Sequence, residues 1–299
     1  MVKPVIKWAT YNNWSGPYIK GSQPYKPPNK LTEWDVIAYA VGYPEGGCYD
    51  SYFAADGTAV TFGLFQWTAT SSRLQTLLFR CLDQASDVYL KTVGELFDDL
   101  GLELSLNLTS DQGELRKNGK VLDPTALRAT FTPPNGKCPK TGPEWKTACE
   151  IAKAFWALGQ DPEIQRIQQE FFQAELYLES LVKRPKLKGK TIASILYPTT
   201  DLGNDDVLPP TAYTPARALF WSFWQNSPRQ AEQYLNSIPG SFKSDPKTFT
   251  LKLARKFAHS TFGNWGIEKA AENGREARYT KIAKCVNALM GKDTLLLIP

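Results

Sequence analysis

The chain has 299 residues, 42% hydrophobic and 22% charged, which excludes a disordered polymer and allows one large or two medium domains with a sizeable core. Its net charge of +5 suits an acidic surface, but no block of five or six like charges occurs, so no nucleic-acid tail is expected. No apolar run reaches the about 18 residues needed to cross a bilayer, so no membrane span is expected.

The first residues, Met1 to Trp8, carry no apolar run of signal-peptide length, and a soluble protein is expected. Residues 1–30 are rich in Pro, Gly, Asn, Tyr and Trp without a clear period, and read as an extended N-terminal arm held by Trp8, Tyr11, Trp14 or Tyr18. Thr32 then suits an N-cap, with Asp35 three residues on as in a capping box. Trp34, Ile37, Ala38 and Val41 follow at helical spacing. Gly42 and Pro44 stop this helix and leave Glu45 at its C-terminal end. The partial negative charge there, and desolvation by an aromatic such as Tyr43, would both favour the protonated form of that carboxyl.

Residues 51–67 read as a short antiparallel ribbon: Ala55-Asp56-Gly57-Thr58 is turn chemistry, and Val60, Phe62 and Leu64 alternate with Thr61 and Gly63. A helix is expected from Thr70 or Ser71, with Leu74, Leu77, Leu78, Cys81 and Leu82 on one face. Residues 95–142 read as a β-containing insertion, since Leu102 to Leu108 alternates strictly and Asn118-Gly119 signals a type I′ hairpin. From Pro143 to 299 the chain reads as a helical second lobe. Its helices carry Trp145, Ala148, Cys149, Ala152 and Phe155, then Ile164, Ile167, Phe171, Ala174, Leu178 and Leu181. One helix is opened by Thr214 as N-cap and Pro215 at N1, and others span Ser227 to Asn236, Lys247 to Ala258 and Gly274 to Met290. Lys183 to Lys190 reads as a solvated basic loop. The fold class expected is α+β, mostly α.

The chemistry is narrowed by what is scarce. His259 is the only histidine, which argues against a catalytic triad and against a histidine-ligated zinc site, and it reads as a helix-end residue. Cys48, Cys81, Cys138, Cys149 and Cys285 match no zinc spacing and read as small core residues, although Cys138 and Cys149 could close a small loop. No phosphate-binding glycine loop is present. Neither a metal nor a cofactor is called for. Carboxylates remain, and glycoside hydrolysis needs one protonated acid and usually one ionised partner.

The run Glu45-Gly46-Gly47, Asp56-Gly57, Thr61, Gly63 resembles the catalytic stretch of phage-type lysozymes and endolysin muramidases. Gly63-Leu64-Phe65-Gln66-Trp67-Thr68 resembles the corresponding turn of lytic transglycosylases, goose-type lysozymes and phage tail lysozymes. The likeness covers roughly residues 32–82. It implies a lysozyme-like fold over residues 31–299, with Glu45 as catalytic acid, Asp56 as its partner, Thr61 holding the attacking water and Gln66 contacting substrate. Asp50 is a second candidate partner, and Tyr49, Tyr52 and Trp67 are core residues or, failing that, candidate sugar platforms. The spacing from Glu45 to Thr61 is about one residue longer than in the phage-type pattern, and the histidine that commonly follows there is missing. The implied activity is peptidoglycan cleavage at β-1,4 links by a monomer that reaches the bacterial wall or periplasm, or is secreted, without an evident signal peptide. Alternatives are a chitosanase or chitinase, for which Asp201, Asp205 and Asp206 would supply acidic charge, a lytic transglycosylase, and a non-catalytic wall-binding phage-particle protein.

Overall fold

The computed structural model describes residues 3–174, 190–197, 209–239, 242–291 and 295. Lys7–Tyr11 (β1) and Trp14–Ile19 (β2) pair antiparallel through an Asn12-Asn13 turn, with Asn12 in the left-handed region at φ 54°. The expected extended arm is thus a hairpin over these residues. The composition hid it because the indoles of Trp8 and Trp14, with Gly16 and Pro17, mask any two-residue period.

Helix α1 (Glu33–Gly42) follows and runs into a single 3-10 turn, Tyr43–Glu45. Three two-residue strands come next, β3 (Tyr52–Phe53), β4 (Thr61–Phe62) and β5 (Trp67–Thr68), then α2 (Arg73–Gln84), α3 (Ser86–Tyr89) and α4 (Glu95–Asp99). Strands β6 (Leu102–Asn107), β7 (Gln112–Lys117) and β8 (Lys120–Val121) precede α5 (Pro124–Phe131), α6 (Pro143–Gln160) and α7 (Pro162–Phe171). The last described helices are α8 (Ile192–Leu196), α9 (Thr214–Trp224), α10 (Pro228–Ser237), α11 (Pro246–Ala258), α12 (Ile267–Glu272) and α13 (Arg278–Met290). The class is mixed α+β, about 53% helix with small antiparallel sheets.

The chain divides into two compact units, one of Met1–Tyr25 with Gly46–Phe171, the other of Lys26–Glu45 with Phe172–Pro299. The change of unit falls at Phe171, where the sequence reading had placed it at Pro143. The reason is Phe155 of α6, which is fully buried against Tyr52 and Phe62 at ring separations of 5.5 and 5.2 Å.

The first unit holds a five-stranded sheet in the order β1-β2-β3-β4-β5 and a three-stranded one in the order β6-β7-β8. Cross-strand register pairs Tyr52 with Phe62 and Phe62 with Trp67, so these three share one face of the sheet. Phe97 and Phe131 complete the cluster around Phe155, each 6.3 Å away, and Phe171 of α7 lies 4.6 Å from Trp67. Truncating a ring so enclosed typically costs about 3–5 kcal/mol. The Asn118-Gly119 turn has φ of 52° and 72°, as a type I′ hairpin requires. Strand β7 lies on α2, where Gly113 N donates to Thr76 Oγ1 at 2.9 Å, so the expected insertion is packed into the first unit.

In the second unit α9 is buried on every side and packs on α1. It carries Arg217, whose Nη1 donates to Glu33 Oε1 at 2.6 Å and whose Nε donates to Leu196 O at 2.8 Å. Helix α9 begins at Thr214, and that hydroxyl donates to Glu33 Oε2 at 2.5 Å. The residue expected as an N-cap instead satisfies a buried carboxylate.

Candidate functional site

Thr32 and Asp35 form the capping box expected of them: Asp35 N donates to Thr32 Oγ1, and Thr32 N to Asp35 Oδ2. Helix α1 ends at Gly42, and Glu45 closes the 3-10 turn after it, as the last residue of its unit before the change at Gly46. The side chain of Glu45 lies outside the described part of the structure. Tyr43 is 48% exposed and packs its ring on Tyr39 at 5.6 Å.

In the first unit, Asp56 organises the turn between β3 and β4. Its Oδ1 accepts from Thr58 N at 3.1 Å and from the Thr58 hydroxyl, an Asx-turn that follows from Asp placed two residues before a donor. Its Oδ2 accepts from Thr61 Oγ1 at 3.2 Å, and the two threonine hydroxyls lie 2.9 Å apart. Asp56 and Thr58 are half-buried, whereas Thr61 is 4% exposed. Register places Thr61 opposite Phe53 and Thr68, on the sheet face away from Tyr52, Phe62 and Trp67. The result is a carboxylate and two hydroxyls in one hydrogen-bonded group.

A clamp on this turn was not legible. Arg128 of α5 donates from Nη1 to Gly57 O at 2.9 Å and lies 4.9 Å over the ring of Trp14. The same indole leaves so little space at Gly57 that a Cβ there would sit 3.1 Å from Trp14 Nε1. Trp14, Gly57 and Arg128 come from three distant parts of the chain, and no local spacing announces them.

Asp50 is placed otherwise. It is 0% exposed, and its carboxylate accepts from Ser22 N at 2.8 Å, Ser22 Oγ at 2.9 Å, Gln23 N at 2.9 Å and Gln160 Nε2 at 2.5 Å. Every lone-pair direction is used on protein donors. Asp50 therefore ties the loop after β2 to the end of α6, and the reading of it as a catalytic partner is corrected on that ground. Gly159 makes the approach possible, since a Cβ there would lie 2.5 Å from Tyr49 O.

Gln66 has a left-handed backbone, φ 54°, and its Nε2 donates inward to Ser51 Oγ and Gly63 O, both at 3.0 Å. It is half-buried. The three aromatic candidates are core residues: Tyr49 is 3% exposed, and Tyr52 and Trp67 are 0% exposed. None has an uncovered ring face for a sugar, because each sits on the inner side of the ribbon or under α7. Burial also pushes the Tyr52 phenol far above its ordinary pKa.

Gln168 is the other residue the sequence reading passed over. It is 0% exposed on α7, accepts from Leu64 N at 3.0 Å and donates to Tyr49 O at 3.0 Å, bracing both arms of the ribbon. A signal was present, because a glutamine stands on the apolar stripe of Ile164, Ile167 and Phe171. His259 caps the C-terminus of α11 and lies 3.4 Å from Glu268. All five cysteines are free. Among the described residues no group of three His, Cys, Asp or Glu side chains is set to hold a metal, and no helix is long and apolar enough to cross a membrane. Asp201, Asp205 and Asp206 lie outside the described residues, as do Lys183 to Gly189 of the basic loop.

Compared with known proteins, the chain matches no family model, no curated sequence and no solved structure.

Proposed function

We propose that the protein is a lysozyme-like glycosidase that cleaves β-1,4 links of peptidoglycan. Glu45 is the proton donor to the leaving oxygen, a role that rests on the sequence resemblance. Asp56 orients the Thr58 and Thr61 hydroxyls, and Thr61 accepts a hydrogen bond from the attacking water while the Asp56 charge stabilises the oxocarbenium-like centre. The observation that carries this reading is the Asp56–Thr58–Thr61 group. It joins a half-buried carboxylate to two hydroxyls in a braced turn, with Asp56 and Thr61 at positions the resemblance marks for that work. With Asp50 fully engaged by protein donors, Asp56 is the partner carboxylate of choice.

The test is clearance of a peptidoglycan suspension. Replacing Glu45 by Gln removes the acid, and the rate should fall roughly 10²- to 10⁴-fold. Unchanged clearance would show that Glu45 is not the acid. Product mass separates hydrolysis from the anhydro sugar of a transglycosylase. Wall binding without clearance by the unaltered protein would favour the non-catalytic reading.

A further inference from the structure

The first unit contains a half-open cavity of about 190 Å³ lined by Lys3, Pro4, Val5, Ile19, Lys20 and Trp156, with Gly21 and Ser22 at its edge. Its walls are largely apolar, and its charged groups are both cations. Neither ammonium forms an ion pair among the described residues. Trp156 is half-buried on α6 and offers an indole to the cavity. The floor is fixed, because Ile19 ends β2 and Ser22 is held by Asp50 and Gln160. Pockets for drug-sized ligands run about 300–1,000 Å³, so this one takes a single ring rather than a chain.

We propose that this cavity binds one acidic sugar unit, the Trp156 indole against the apolar face of the ring and Lys3 and Lys20 on its carboxylate. The chemistry is an aromatic platform joined to two cations that form no ion pair among the described residues, the nearby Asp50 carboxylate being engaged by Ser22, Gln23 and Gln160, and it selects a ring that carries negative charge. The choice of a sugar over another cyclic carboxylate rests on the carbohydrate reading above.

The experiment follows the Trp156 indole N–H resonance of the ¹⁵N-labelled full chain, assigned by its loss in Trp156→Phe. The probes are N-acetylmuramic acid and N-acetylglucosamine, which differ by a lactyl carboxylate. The resonance should move with N-acetylmuramic acid, and the affinity should exceed that for N-acetylglucosamine by about fivefold, the upper range of one exposed ion pair. Lys20→Gln and Lys3→Gln should each narrow that gap, as should added salt. An unmoved resonance, equal affinity for the two sugars, or a gap untouched by both lysine variants would overturn the proposal. Neither monosaccharide has a bond to cleave, so this outcome is independent of whether Glu45→Gln abolishes clearance.

Discussion

Asp50 and Asp56 come from one short stretch of sequence and fold into one unit, yet their carboxylates are held in opposite ways. Asp50 is fully buried, and its donors arrive from the loop after β2 and from Gln160, 110 residues away. Asp56 is half-buried, and the donors to its carboxylate are neighbours on its own turn. A carboxylate whose oxygens are filled by distant backbone and amide groups is a structural tie. One that holds two local hydroxyls beside solvent keeps the means to act on a ligand. The difference is where the donors come from.

This contrast can be broken by substitution. Asp50→Ala should have the largest effect on stability, about 3 kcal/mol, because it removes a fully buried carboxylate and strands its four donor groups at once, and urea unfolding would measure it. Asp56→Ala should leave the unfolding free energy measured in urea within about 1 kcal/mol of the parent yet slow clearance roughly 100-fold. If the two variants exchange these behaviours, the assignment is reversed. Gln160→Leu removes a single donor to Asp50 and should cost about 1–2 kcal/mol without altering clearance. Thr61→Val, which keeps the shape and deletes the hydroxyl, should slow clearance about tenfold while leaving thermal unfolding close to that of the parent.

A smaller effect sharpens the stability side. Burial pushes the Cys81 thiol up to about 12 and the Cys138 thiol up to about 11, against an ordinary 9.0. A raised folded-state value means that the unfolded chain loses its proton first. The stabilising contribution is complete below pH 9 and is lost as pH rises through 9 to 12. Cys81→Ala should therefore lower stability at neutral pH but flatten its decline above pH 9, by up to about 1.4 kcal/mol per pH unit. Urea midpoints taken across that range would show it.

Local chemistry was legible in the sequence. The Thr32–Asp35 box, the Asn118-Gly119 turn and the alternation around Phe62 each depend on neighbours within a few residues, and each is present. The alternation leaves Tyr52 and Trp67 open between core and sugar platform: it tells which residues share a face, but not that α6 covers that face. What was not legible depends on encounters across the chain. Neither the four donors around Asp50 nor the Trp14–Arg128 clamp on Gly57 has a local signature. The hairpin of β1 and β2 is local, but its composition masks the period, and its indoles are placed by residues more than a hundred positions away.

That hairpin also ties completion of the first unit to distant parts of the chain. Trp8 Nε1 and Ser15 Oγ both donate to Cys138 O, at 3.0 and 2.9 Å. The loop that follows β2 waits for Gln160 before the ring around Asp50 closes. The hairpin and the segments it docks on are thus joined through long stretches of chain, and folding of this unit is governed by long loop closures. A fragment cut to Gly46–Phe171 would lack two of the five strands, leave β3 as a bare sheet edge and strip Asp50 of three of its four donor groups. Expressing residues 1–25 in trans should restore the missing edge, and the gain would be read as a higher resistance of the fragment to urea, because this unit is threaded from two separate segments.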